Sequence, residues 1–315
     1  MALGAAVLAA PPSSAAEASS DRIMRIVVPF TTGGVGDSVA RLLADDMSAR
    51  TGRRVIVENK PGAGGSIGTE FVARAPADGM TLLLASPGFT INPSLQAGLK
   101  WDPIKDFAPV AMVGAIPNVI VVSSKEPYKN LEELIGAARR PGANLTYGSA
   151  GIGSSPHLAG ELLNSSTGVR FVHVPYKSQS DAIADLVTGR LSFMAITIAL
   201  AAPLIESGKL RPLAATSARR IKSLPAVPTV AETGIRDYEV DGWLAIVAPA
   251  RTDSATVAQI NKAIREALAE PRIQTALAGL NCEITTGPAD ELAHYLQADR
   301  EKWASIIKAA NLRKD

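Results

Sequence analysis

The chain has 315 residues, 47% apolar and 20% charged: enough apolar material for one large or two medium packed domains, and too ordered a composition for a disordered chain. Its 32 basic and 30 acidic residues give a net charge of +2 and are spread without a basic block, which argues against a nucleic-acid partner. The single cysteine, Cys282, excludes an internal disulfide, and the three histidines show no metal-ligand spacing.

Residues 1–20 read as a secretory leader. An apolar run from Met1 to Ala10 is too short to span a bilayer, and Ser14-Ala15-Ala16 or Ala16-Glu17-Ala18 fits a small-x-small cleavage site, although no Lys or Arg precedes the run. The first strand then enters a glycine turn, Ile26-Val27-Val28-Pro29-Phe30-Thr31-Thr32-Gly33-Gly34-Val35-Gly36-Asp37, and Val39, Leu42, Leu43 and Met47 follow at helical spacing. A second strand, turn and helix repeat the pattern: Val55-Ile56-Val57-Glu58-Asn59, the turn Lys60-Pro61-Gly62-Ala63-Gly64-Gly65-Ser66, then Ile67, Phe71, Val72 and Ala75. Met80 to Ala85 is a fully buried strand, and Val110 to Gly114 and Asn118 to Ser123 are two more, split by Pro117.

Asn130 with Glu133 announces a helix through Arg139, which Pro141-Gly142 stops. A new series follows: strand Leu145 to Gly148 with the third glycine turn, Gly148-Ser149-Ala150-Gly151-Ile152-Gly153-Ser154-Ser155, helix Ser155 to Ser165, strand Val169 to Val174, helix Ser180 to Val187, strand Leu191 to Ile196, helix Leu200 to Ser207 and strand Leu210 to Thr216. Beyond Pro225, Pro228 and Gly234 come strand Trp243 to Ala248, helix Ser254 to Ala269, a short strand near Cys282 to Thr285 and helix Ala289 to Ala310. Alternating strands and helices predict an α/β fold with mostly parallel sheets. A series that restarts in mid-chain predicts two lobes: 21–122 with 243–315, and an inserted 123–242, hinged near 121–124 and 238–243.

The three turns have glycine backbones able to approach a ligand at the start of a helix, which makes an anion site. Gly64-Gly65-Ser66-Ile67-Gly68 also fits a nucleophile elbow, but that elbow needs a strand running directly into its serine, and Asn59-Lys60-Pro61-Gly62 intervenes; a hydrolase using Ser66 stands as the alternative. Neither glycine cluster completes the dinucleotide fingerprint. Asp37 is read either as a first-turn carboxylate stabilising its helix or as an acceptor for a ligand amine, and Tyr176 with Lys177 either as cleft loop or as solvated loop. Cys282 reads as a small core residue.

Several ordered segments resemble the Bug family, the extracytoplasmic solute receptors of tripartite tricarboxylate transporters, from Arg22 to the C-terminus. They are Val28-Pro29-Phe30-x-x-Gly33-Gly34-x-x-Asp37-x-x-Ala40-Arg41, Glu58 to Gly68, Asp102-Pro103-x-x-Asp106-Phe107-x-Pro109-Val110, His173-Val174-Pro175-Tyr176-Lys177, Ser207-Gly208-Lys209-Leu210-Arg211 and Val227-Pro228-Thr229-x-x-Glu232-x-Gly234. The resemblance implies a two-lobed periplasmic binding protein, not an enzyme, that closes on a di- or tricarboxylate or similar organic acid, needs no cofactor or metal, and delivers its ligand to membrane permease subunits. A receptor that passes the signal to a sensing partner would use the same cleft. Nothing in the sequence points to an oligomer, so a monomer is expected. Carried over to this chain, the ligand-binding candidates are Phe30, Thr31, Gly33, Gly34, Asp37, Ser66, Ile67, Ser86 and Thr90 in the first lobe, and Gly151, Gly153, Ser154, His157, Tyr176, Asp181 and Thr197 in the second. The chain departs from the family pattern at Thr31-Thr32 and at Lys177-Ser178, where extra hydroxyls favour a more polar ligand or cap local backbone.

Overall fold

The computed structural model describes residues 23–309. The leader-like segment and the expected end of the last helix at Ala310 lie outside them. The chain first lays down β1 (Met24–Val28), α1 (Val35–Thr51), β2 (Val55–Asn59), α2 (Ser66–Ala73), β3 (Thr81–Ala85), α3 (Gly88–Leu95) and β4 (Phe107–Ile116). It crosses to a second set: β5 (Asn118–Ser123), α4 (Leu131–Ala138), β6 (Thr146–Ser149), α5 (Ser155–Thr167), β7 (Val172–Pro175), α6 (Gln179–Thr188), β8 (Phe193–Thr197), α7 (Ile198–Glu206) and β9 (Leu210–Ala215). It returns through β10 (Gly242–Pro249) to α8 (Ser254–Ala269), α9 (Pro271–Gly279), β11 (Glu283–Ile284) and α10 (Ala289–Ala309). Two sheets result, ordered β11-β4-β10-β3-β1-β2 and β7-β6-β8-β5-β9.

Both sheets are mixed. The strand and helix series supplies the parallel neighbours, β2-β1-β3 in one sheet and β7-β6-β8 in the other, as the alternating pattern requires. The strands on either side of the crossings, β4, β5 and β10, run antiparallel to their neighbours because the chain enters each sheet from the opposite end. The expectation of mostly parallel sheets therefore holds only for the helix-linked strands. The outgoing crossing falls at Pro117, so residues 118–122, expected in the first lobe, belong to the second sheet. Proline has no N–H to continue a ladder, and it divides an otherwise continuous apolar run into two strands.

The buried strands are apolar on both faces, as sheets covered on both sides demand: Ile26, Val27, Val28 and Leu82, Leu83, Leu84 are fully buried. α1 buries Val39, Leu43 and Met47, one turn apart, and stops at Gly52, whose left-handed φ of 65° lets its N–H reach the Ser48 carbonyl. β7 starts later than the sequence suggests because Asn164 brackets Phe171, accepting from its N–H at 2.8 Å and donating to its carbonyl at 3.1 Å, in place of a ladder. α3 is absent from the sequence reading: every residue from Gly88 to Asn92 is buried, so no polar face marks it. α9 is likewise unforeseen, although Pro271 at its first turn is a start signal. The core around β5 and β6 draws in Ile91 and Leu95 of α3 and Trp303 and Ile307 of α10, so these two helices tie the first lobe to the second.

Candidate functional site

Parallel strands end at a common edge, and the helices that follow them begin there. α1, α2 and α3 begin at one edge of the first sheet and α5, α6 and α7 at one edge of the second. These edges face each other at close quarters. A Cβ added to Gly64 would stand 2.8 Å from the Ile152 carbonyl oxygen, and one added to Gly88 would stand 3.6 Å from that of Gly153. Glycine is required at Gly153 on two counts: its φ is +81°, and a Cβ there would stand 2.0 Å from the Asn92 side-chain oxygen.

Five of the six helices that start at these edges, all but α6, have no side-chain cap; the Ser66, Phe89, Thr90 and Ile198 N–H groups bond the backbone carbonyls of Ala63, Ser86, Pro87 and Pro117, and the other first-turn N–H groups, chiefly those of α1 and α5, are left for another acceptor. α6 is capped by Ser178, which accepts from Asp181 N–H at 3.2 Å. The turns 30–36, 61–66, 86–88 and 150–154 contain no Lys or Arg. The arrangement offers fixed dipoles in place of mobile cations, suited to a carboxylate or similar oxyanion.

The first turn is held by an ion pair between buried Asp37 and exposed Arg41. Asp37 accepts from Gly33 N–H at 3.0 Å, from Arg41 at 3.0 and 3.1 Å and from Asn59 at 2.9 Å, while Asn59 also reaches the Phe30 carbonyl at 3.1 Å. Burial alone would raise the Asp37 carboxyl, but these bonds outweigh it and hold its pKa below the ordinary value. Asp37 thus sets the loop in place, and its carboxylate is fully engaged by the protein. Phe30 and Ile67 remain exposed at the rim, 37% and 55%, with Thr31 and Gly34 beside them. Ser66 is buried at the start of α2, with Asn92 Nδ2 at 3.4 Å from its hydroxyl. Ser86 offers its carbonyl to Phe89 N–H at 2.8 Å just before α3. Thr90 is fully buried, and its hydroxyl is bonded to Asp299 on α10 and to the Pro87 carbonyl, which makes it a strut for α3.

In the second lobe, Ser154 closes the third turn on the Gly151 carbonyl at 2.6 Å, and His157 Nδ1 accepts from Gly153 N–H at 3.3 Å. Beneath it, Ser149 Oγ and His173 Nε2 are 2.6 Å apart, and Ser149 is also bound to Gly151 N–H at 3.0 Å. That serine is fully buried and buttresses the turn. Tyr176 directs its hydroxyl to Asp185 at 2.7 Å; burial first, then this bond, raises its pKa. Asp181 is exposed on the first turn of α6. Thr197 ends β8 with its N–H donating to Gln179 at 2.8 Å and its hydroxyl oxygen buried without a protein partner.

The structure therefore gathers Phe30, Thr31, Gly33, Gly34, Ser66, Ile67 and Ser86 on one side and Gly151, Gly153, Ser154 and Thr197 on the other, with Asp37, Thr90, His157 and Tyr176 tied to protein groups behind them. Sequence reasoning missed Asn59, Asn92 and Asn118. Asn92 donates to the Gly64 carbonyl at 3.0 Å, and Asn118 donates to Ser155 Oγ at 3.2 Å. Asn118 is an amide at the head of an apolar strand, which is the signal that was available; Asn59, between Glu58 and Lys60, and Asn92, near Thr90 and Ser94, carry none. A groove of about 930 Å³ on the outer side of the first lobe, lined by Ile23, Arg25, Ile67, Phe71 and Arg74, shares only Ile67 with this set. Most of the candidate residues lie instead at the edges between the lobes, where the helix N-termini converge.

Two mixed sheets flanked by helices, with uncapped helix starts facing across their edges, define a two-lobed α/β binding protein of the periplasmic type. The profile of the tripartite tricarboxylate transporter family receptor matches residues 39–312, and the chain belongs to that family. The periplasmic binding protein BugD superposes with a TM-score of 0.85 at 34% identity, over 93% of this chain and 99% of BugD. An R. palustris protein solved with adipate gives 0.85 at 33% identity, over 92% and 97% of the two chains. MatC of Rhodopseudomonas palustris, solved with bound malate, gives 0.84 at 31% identity, over 91% and 99%.

Proposed function

We propose that this chain is a periplasmic receptor, monomeric and without catalytic activity, that captures a small organic acid between its lobes and presents it to the membrane subunits of a tripartite transporter. The observation that carries the reading is the set of uncapped helix N-termini on opposed edges. Free first-turn N–H groups of α1 and α2 from one side and of α5 from the other hold carboxylate oxygens, each such bond being worth about 1.5–3 kcal/mol. A dipole site of this kind binds without reacting. The adipate and malate held by the two R. palustris relatives support a carboxylate as the ligand class.

Capture follows from the crossings. The lobes are joined at Pro117 and through 238–243, and rotation there opens or closes the edges on the ligand. Ser66, the candidate nucleophile of the alternative reading, has an amide for its hydroxyl neighbour, and His157 and His173 are bonded to the third turn in the other lobe. The test is a thermal-shift screen over dicarboxylates, tricarboxylates, aromatic acids and amino acids. A cognate acid should raise the midpoint by mass action on the folded state. Silence across the whole panel contradicts the proposal, and ester hydrolysis that disappears in Ser66→Ala would favour the hydrolase.

A further inference from the structure

Carboxylate oxygens accept hydrogen bonds, so a site made only of donors would suit a plain diacid. Beside the crossing at Pro117 the polar groups are different. Asn118 opens β5 immediately after the crossing at Pro117, and its register partner across the sheet is Thr197 at the end of β8. Side chains of paired residues share a face, and alternation puts Asn118 on the same face as Ile120 and Val122, against which Ile91 and Leu95 of the first lobe pack. Asn118 is fully buried. Its Nδ2 is used by Ser155 at the first turn of α5, and its Oδ1 is buried with no protein partner; the same is true of the Thr197 hydroxyl oxygen at the start of α7. Two buried oxygens without donors therefore stand together where two uncapped helices begin.

We propose that Asn118, assisted by Thr197, reads a hydroxyl group on the ligand, and that the receptor is selective for hydroxy acids over the same acids without the hydroxyl. The proposal rests on the organic-acid reading above and adds its specificity. Helix N–H groups take the carboxylate, the ligand hydroxyl donates to Asn118 Oδ1, and the Thr197 oxygen accepts or donates as the geometry of the acid requires. An acid lacking the hydroxyl leaves the amide oxygen buried and unpaired, and a site built around a polar partner discriminates strongly against a ligand without it. An ammonium in place of the hydroxyl is disfavoured, because Asp37 is already committed to Arg41 and Asp181 is exposed at the rim. Sequence inspection passes over Asn118 because it sits beside a proline at the head of an apolar strand.

The test is isothermal titration with matched pairs: malate against succinate, lactate against propionate, and mandelate against phenylacetate. Wild type should bind the hydroxylated member of its preferred pair at least about tenfold more tightly, a ratio well within the reach of one satisfied buried hydrogen bond. Asn118→Leu should bring that ratio close to one, mainly by weakening the hydroxy acid, with an unfolding curve that remains cooperative. Should Asn118→Leu fail to fold, the near-isosteric Thr197→Val carries the test and should lower the same ratio. Equal affinities within every pair for wild type, or an unchanged ratio in a folded variant, overturn the assignment and leave an organic-acid receptor standing. No binding by any member, nor by the wider acid panel, removes both.

Discussion

Two helices at the back of the molecule, α4 and α8, and five of the six at the cleft begin in different ways; capped α6 at the cleft and uncapped α9 at the back are the exceptions. α4 starts with Asn130, whose side chain accepts from Glu133 N–H at 2.8 Å, and α8 starts with Asp253, which accepts from Thr256 N–H at 2.8 Å. α1, α2, α3, α5 and α7 start at Gly34, Gly65, Pro87, Ser154 and Thr197 with no such bond, even where the residue carries a hydroxyl. Ser154 turns its hydroxyl to the Gly151 carbonyl instead. A cap is worth about 1 kcal/mol, so leaving it out repeatedly on two facing edges costs several kcal/mol across the fold. On the proposed function, the difference teaches that the cleft edge trades helix stability for donors open to a ligand's acceptor atoms, while α4 and α8 at the back keep their caps.

The sharpest way to break this comparison is at the point where the edges meet. Gly153→Ala puts a Cβ against Asn92 Oδ1 and forces a non-glycine residue to positive φ, so acid affinity should fall by about 100-fold by calorimetry. Gly52→Ala, also at positive φ but facing open space at the end of α1, should lower the melting temperature and leave affinity alone.

Next in size is Asp37→Asn, which removes the carboxylate that fixes the first turn and should destabilise the fold by about 2 kcal/mol. Its folded pKa lies below the ordinary value, so the stability it contributes is complete above the ordinary carboxylate range and is lost as pH falls through the folded pKa. The variant should therefore show a flatter loss of stability in acid, read from urea midpoints at a series of pH values.

The incoming crossing behaves in the opposite sense. Burial pushes Asp241 up to about 6, with Glu239 and Glu283 adding to the shift and Lys302 and Arg219 opposing it. The unfolded chain ionises first as pH rises, so the penalty builds from the ordinary carboxylate pKa and is complete above the folded one. Asp241→Asn should stabilise the protein at pH 8 by on the order of 2 kcal/mol and change little at pH 4, when thermal unfolding is compared at the two values. Smallest is Asn130→Ala on the back face, expected to cost about 1 kcal/mol of stability with unchanged acid affinity.

Much of this was legible in the chain. The glycine turns and the apolar strands before them mark where helices start, and periodicity in α1, α4 and α8 is plain because each has one solvated face. α3 escaped because it is buried all round, and with it went Asn92. The crossing was placed a few residues late because Val119 to Val122 is apolar whichever sheet it joins, and only the pairing of β5 with β8 and β9 decides the matter. Among the candidate site residues, glycines and rim residues are readable from the turns themselves. Asp37, Thr90, His157 and Tyr176 carry groups whose partners, Arg41, Asp299, the Gly153 N–H and Asp185, are set by tertiary contact or by helical phase, so their supporting roles emerge only from the fold.

The central claim, that helix starts left open at the cleft bind the acid, is tested most directly by capping one of them. Gly34 precedes α1 with φ −80° and ψ 169°, a conformation suited to a capping side chain, and a Cβ there meets nothing closer than 4.0 Å. Gly34→Asp should therefore raise thermal stability by about 1 kcal/mol while its carboxylate occupies the N–H groups meant for the ligand, weakening acid binding by at least about tenfold in calorimetric titration. A variant that gains the stability and keeps wild-type affinity for the acid would contradict the account.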